Sequence, residues 1–219
     1  VNNDVLIPRF DTELIIDILK KNSSTKKLFD GGTGCGNLTI TFKKEKLAEN
    51  IIANDILEVQ LNFAKYNQNN KIKMFDAGCG TGLVGIELKK NGYNIIDGAD
   101  FSQSMLNQVP KNLYQNLYKI DLNKKILLKD NTYDAITCVG TFTYGHVKAH
   151  ALDELIRITR NKGFLCFTIN EGIYEEYGFD NKIKELSNNK LWNVKEFFKS
   201  DYIVNKDVNA WLCLSEITK

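Results

Sequence analysis

The residues of this chain best suited to chemistry are Asp76 and Asp100, because of the glycines between them. The run Phe75-Asp76-Ala77-Gly78-Cys79-Gly80-Thr81-Gly82 puts an acid at the end of a short apolar stretch, then a glycine at every second position. A strand that turns sharply into a helix needs positive φ and close backbone approach, and glycine allows both. The helix start beyond offers unpaired N–H groups and a partial positive charge. Pyrophosphate sites use such an end with the spacing G-x-G-x-x-G. Here the spacing is G-x-G-x-G, and Asp76 suits a ligand that carries an ammonium group. The plainer reading of Asp76 is an acid at a helix start. Asp100 closes the next apolar run, 24 residues after Asp76. Acids at that place hold ribose hydroxyls in nucleotide-binding α/β domains; the plainer reading is a turn aspartate.

The same pattern occurs earlier in the chain. Leu28-Phe29-Asp30 leads into Gly32, Gly34 and Gly36, and Asp55 ends a run 25 residues after Asp30. Asp30 and Asp76 are 46 residues apart. That is room for a strand, a helix, a strand and a helix, but not for a whole nucleotide-binding domain. The polar stretch Gln68-Asn69-Asn70-Lys71 is the expected boundary, giving an incomplete half-unit over 1–70 and a complete domain over 71–219.

The second unit resembles the class I S-adenosylmethionine-dependent methyltransferases, whose first signature stands at Asp76 to Gly82. The likeness continues through Lys119-Ile120-Asp121-Leu122, Asn131 to Cys138, Leu152 to Arg160 and Asn161 to Thr168. Val139 to Val147 and Glu171 to Phe179 are similar to the methyltransferase-like 27 group. The resemblance implies S-adenosyl-L-methionine as cofactor. It implies a cofactor set of Asp76, Gly78, Cys79, Gly80, Gly82, Asp100, Phe101, Asp121 and Leu122. In that set Asp76 holds the methionine ammonium, directly or indirectly, Asp100 the ribose, and Asp121 with Leu122 the adenine amine. Phe101 either packs on the adenine face or belongs to the core.

Methyl transfer from a sulfonium is an in-line displacement, so positioning supplies much of the catalysis and the nucleophile can need a base. The stretch Gly140 to His150 follows the expected fourth strand, at the carboxyl edge where ligands bind in open α/β sheets. It holds Thr141, Thr143, Tyr144 and both histidines of the chain. His146 is the candidate catalytic base, since imidazole titrates near neutrality; the alternative is a capping or surface role. His150 is expected to face its helix. The acceptor is expected to be a small molecule. The alternative function is a cofactor-binding or decayed fusion without turnover.

The first unit resembles a different group. Val5-Leu6-Ile7-Pro8-Arg9-Phe10-Asp11-Thr12-Glu13 is similar to the entry segment of the release-factor glutamine methyltransferases, and Ala53 to Ile56 and Asn62 to Asn67 continue the likeness. The Asn-Pro-Pro-Tyr motif that holds the glutamine amide in that family is absent, because Pro8 and Pro110 are the only prolines. Its residues therefore point to a remnant of a protein glutamine methyltransferase, not a working one.

Composition narrows the alternatives. A net charge of +2, with Arg9, Arg157 and Arg160 as the only arginines, gives no electrostatic case for a nucleic-acid partner. No apolar run nears the roughly 18 residues of a membrane span, and no signal peptide is visible. Cys35, Cys79, Cys138, Cys166 and Cys213 form no C-x-x-C pair, so they read as reduced thiols, with no metal site expected. These features lead to the expectation of a cytoplasmic protein. The start at Val1 leads to that of a trimmed or partial chain.

The elements that must position these residues follow from periodicity. The sequence predicts strands at 72–76, 94–99, 116–120, 133–138 and 163–169, and helices at 81–91, 102–109, 148–160 and 174–189. Two strands, Trp192 to Val204 and Ala210 to Ile217, close the chain. This alternation indicates an α/β, Rossmann-like, seven-stranded and mostly parallel sheet with an antiparallel edge. The resemblance implies the strand order 3-2-1-4-5-7-6. Glu175 and Glu176 are expected at an acidic helix start.

Overall fold

The computed structural model describes residues 27–29, 50–52, 71–203 and 208–219. Two short strands, β1 (Lys27–Phe29) and β2 (Asn50–Ile52), pair in parallel. The earlier glycine turn, with Asp30, Cys35 and Asp55, lies outside the described residues.

The remaining described residues build one sheet. Its strands are β3 (Lys73–Ala77), β4 (Ile95–Asp100), β5 (Leu117–Lys119), β6 (Tyr133–Phe142), β7 (Thr159–Asn170), β8 (Trp192–Ile203) and β9 (Val208–Ile217). They lie in the order β5-β4-β3-β6-β7-β9-β8. This is the implied 3-2-1-4-5-7-6 arrangement. The five strands from β5 to β7 are parallel, and β9 runs antiparallel to both β7 and β8. The antiparallel pairing thus falls at one edge, as expected.

Helices cover both faces, and strand alternation decides which side chain meets which. On β3, Met74 packs with Val84 and Leu88 of helix α1 (Leu83–Lys90). Phe75 and Ala77 point the other way, toward the cluster that holds Leu152 and Leu155 of α3 (Ala151–Ile158) and Ile183 of α4 (Phe179–Asn188). A short helix α2 (Gln103–Leu106) follows β4, its start capped by the Ser102 hydroxyl, which accepts from the Met105 amide. Fully buried rings anchor the larger cluster: Phe142 meets Phe179 at 4.8 Å and Phe167 at 5.8 Å. Each such side chain contributes about 1.5–3 kcal/mol by leaving water.

Several elements differ from the periodicity: α2 covers only Gln103–Leu106 of the predicted 102–109, and β7 begins at Thr159, inside the predicted helix 148–160. The fourth helix starts at Phe179 and not at 174, because Gly178 takes φ 72° and breaks the run. Asn170 caps a 3₁₀ turn at Glu171–Ile173 instead, accepting from the Gly172 amide. Glu175 and Glu176 therefore lie ahead of the helix, in the turn. Strand β6 runs on to Phe142, four residues past its predicted end at Cys138, so it carries its carboxyl end closer to the loop that bears His146. Among the described residues, no helix is long and apolar enough to cross a membrane.

Candidate functional site

The glycine turn after β3 has the geometry its spacing predicts. Gly78, Gly80 and Gly82 take φ values of 76°, 54° and 92°. The Gly78 and Cys79 amides both donate to the Ala99 carbonyl at 2.8 Å, which clamps the turn to the end of β4. A Cβ on Gly78 would run into the Thr141 side chain, so the end of β6 closes on the turn only because glycine stands there. Helix α1 begins at Gly82 with no side-chain cap and no acid in its first turn. Of the first-turn amides, that of Gly85 acts on Asp76, and Gly82 has no side chain to cap the rest. Beside it, the Thr81 hydroxyl is buried without a hydrogen-bond partner. A buried polar atom without a partner is costly in a finished site, and one at this place fits a polar ligand group.

Asp100 sits where the ribose acid is expected. Its Oδ2 accepts from the Gly80 amide and its Oδ1 from the Ser102 amide, both at 2.8 Å. Two backbone donors fix the carboxylate at the lip of the turn and leave each oxygen a further lone pair. Phe101 next to it is 65% exposed, so its ring is not part of the core. It stands free to cover a flat ligand.

Asp76 is placed differently from Asp100. It lies within β3, seven residues before α1, and is 1% exposed. It is thus a strand residue, although the Gly85 amide in the first turn of α1 also bonds to it. Strand pairing puts Gly98 of β4 on one side of it and Thr137 of β6 on the other. Tyr114 donates to Oδ2 at 2.5 Å and Thr137 to Oδ1 at 3.3 Å. Burial pushes the Asp76 carboxyl up to about 6, and the Tyr114 and Thr137 bonds hold it from rising further. The neighbouring Cys79 thiol is held far above its ordinary range by burial and by the charges of Asp76 and Asp100. It is a packing residue, not a nucleophile.

The loops after β5 and β6 form the opposite wall. Asp121 accepts from the Asn123 amide at 3.0 Å and pairs with Lys124, while Leu122 is buried. Asn123 then ties this loop to the next. Its Oδ1 accepts from the Lys148 amide at 2.9 Å, its Nδ2 donates to the His146 carbonyl at 3.3 Å, and its carbonyl meets His150 Nε2 at 3.0 Å. His150 thus serves the loop junction, directly before α3. His146 itself is exposed. Protein around the ring strips part of its hydration and lowers the imidazole from its usual 6.5, with the charge of Asp100 opposing. At neutral pH the ring is then mostly unprotonated and able to accept a proton.

Two tyrosines fasten this loop to the one after β7. The Tyr144 hydroxyl donates to the Gly172 carbonyl at 2.8 Å. The Tyr177 hydroxyl accepts from the Gly145 amide at 3.1 Å, and the Lys148 ammonium lies 3.2 Å from the centre of the Tyr177 ring. Tyr114, Asn123 and Tyr177 were not legible as site residues, because each acts across a gap that only the folded sheet closes. A groove lined by Asp130, Asn131, Asp153, Arg157 and Lys219 opens at the other end of the sheet, ahead of β6. It shares no residue with this site. Among the described residues, no three His, Cys, Asp or Glu side chains gather as a metal site.

Known proteins resemble this chain in sequence and in fold. The model of the methyltransferase domain family matches residues 75–167. Methyltransferase-like protein 27 of Homo sapiens is 37% identical over 97 residues, covering 43% of this chain and 39% of that protein. Release factor glutamine methyltransferase of Buchnera aphidicola is 39% identical over 70 residues, covering 31% of this chain and 25% of that protein. The chain therefore spans well under half the length of these curated relatives. Among solved structures, a putative S-adenosylmethionine dependent methyltransferase from Listeria monocytogenes superposes with a TM-score of 0.60 at 12% identity, over 75% of this chain and 97% of that one.

Proposed function

We propose that the chain carries a class I S-adenosylmethionine-dependent methyltransferase domain, a reading supported by the family match, the relatives and the shared fold, and that it methylates a small-molecule acceptor at the carboxyl edge of the sheet. The observation that carries this reading is the Asp100 carboxylate, fixed by the Gly80 and Ser102 amides beside the glycine turn. In this reading Asp100 takes the ribose hydroxyls, and the turn with Thr81 takes the methionine end. Asp121 and Leu122 flank the adenine, and Phe101 covers it. When bound, S-adenosylmethionine supplies an electrophilic methyl group on a sulfonium.

The protein then has to bring a nucleophile into line with that methyl group and keep water away. In this reading the end of β6 from Gly140 and the loop up to His150 line this position, and His146 accepts the proton that the acceptor loses. Calorimetric titration with S-adenosylhomocysteine tests the cofactor site, and labelled cofactor incubated with fractionated metabolites tests turnover. Micromolar or tighter binding together with label transfer is the expected result. Binding without any product would favour the alternative, a cofactor-binding protein without turnover. An absence of binding would remove the reading.

A further inference from the structure

Tyr114 comes from the loop ahead of β5, yet it fills the space beneath the glycine turn. A Cβ on Gly98 would lie 2.9 Å from its ring, and one on Gly85 would lie 2.5 Å from its hydroxyl oxygen. Gly85 on α1 and Gly98 on β4 thus leave a slot between helix and strand that the phenol occupies. At the bottom of that slot the hydroxyl meets Asp76. Two glycines and a ring from a third element are a large structural commitment to one hydrogen bond. Leu113 packs beside it against Gly82, so the same loop also backs the N-terminus of α1.

We propose that Tyr114 is a positioning residue for the cofactor, whose hydroxyl keeps the Asp76 carboxylate ionised and oriented beneath the turn that receives the methionine end. This rests on the cofactor reading given above. A buried carboxylate is stable as an anion only while donors satisfy it. Tyr114 is the short donor, and Thr137 is longer. The Gly85 amide adds a weaker contribution, and the charge of Asp100 across the turn works against ionisation. The Cys79 and Cys138 thiols also face Asp76, and burial keeps both protonated. Burial holds the Tyr114 phenol protonated in the same way, so it remains a donor. The retained charge then attracts the cofactor's ammonium through the turn.

The test is the affinity for S-adenosylhomocysteine, which carries the same ammonium, measured by calorimetry between pH 5.5 and 8 for four proteins. These are wild type, Tyr114→Phe, Asp76→Asn and the double variant. Wild-type affinity is expected to fall only as pH drops through about 6, where Asp76 takes up a proton. Tyr114→Phe removes the bond that holds this value down, so its inflection should move upward and its affinity at pH 7 should fall about tenfold, the effect of one charge-assisted hydrogen bond. Asp76→Asn should bind weakly with no inflection, and adding Tyr114→Phe to it should change nothing. A Tyr114→Phe protein with wild-type affinity and inflection overturns the inference. So does an equal loss in the Asp76→Asn background, which would mean that the ring acts by packing alone. The double variant has no buried charge left unpaired, so it keeps this comparison open even if Tyr114→Phe folds poorly. A wild type that binds at no pH refutes the cofactor site itself, and that single titration tells the two failures apart.

Discussion

Asp100 and Asp76 are both acids flanking one glycine turn, yet burial gives them different work. Asp100 is held at the surface of the turn by two amides, so Asp100→Ala removes both the ligand's partner and a brace on Gly80. Cofactor affinity should fall by about 1.5–3 kcal/mol for each charge-assisted bond lost. Titration calorimetry on the two proteins checks this, and equal affinities would remove Asp100 from the site. His146 is expected to behave in the opposite way. His146→Ala should leave cofactor affinity unchanged and lower turnover about 10²–10⁴-fold, the range for a positioned base. Its imidazole titrates below its usual 6.5 because of lost hydration. The wild-type rate should therefore rise with pH through a point below that value, and the variant should lose this limb. Asp76 and Asp100 could be read from the sequence because their motif is local: acid, glycines and second acid lie within 25 residues. Tyr114 could not. It stands 38 residues from its partner, and the glycines that admit it make sense only once α1 lies on β4.

At the scale of elements, the turn after β3 is the joint on which the site depends. Gly78 combines positive φ with direct contact to Thr141 at the end of β6. Gly78→Ala therefore adds backbone strain of about 1–2 kcal/mol and pushes β6 away from the turn. The expected outcome is a thermal midpoint several degrees lower and a loss of cofactor binding greater than the stability change alone explains. Calorimetry and a melting curve on one preparation measure both, and unchanged binding in a destabilised variant would separate the turn from the site. Most element positions were legible because apolar periodicity switches cleanly between two and 3.6 residues. The exception at Glu171–Phe179 has a physical cause. Apolar Ile173, Tyr174 and Tyr177 keep a helical spacing there, but Asn170 caps a 3₁₀ turn and Gly178 breaks the backbone before α4 starts. Side-chain spacing carries no record of such a break.

For the whole molecule, the duplicated glycine motif makes a stoichiometric prediction. The sequence reading of residues 1–70 as an incomplete half-unit predicts that the full chain binds one cofactor and not two. A calorimetric titration gives the ratio directly, and two equivalent sites would contradict the reading of the first unit as incomplete. The sheet order also has a consequence for how the protein is made. Strand β9 lies between β7 and β8, although it follows both in the chain. β8 therefore leaves the ribosome ahead of the strand that links it to the sheet. During that interval β7 offers a bare row of backbone amides, and β8, which carries Phe197 and Phe198, has no strand partner. Open strand edges of this kind invite pairing with other chains. Translation at about 5–20 residues per second makes the interval a matter of a second or so. The nascent chain should be most in need of a chaperone just before residues 208–217 emerge, and a ribosome stalled there should carry a domain that protease still cuts.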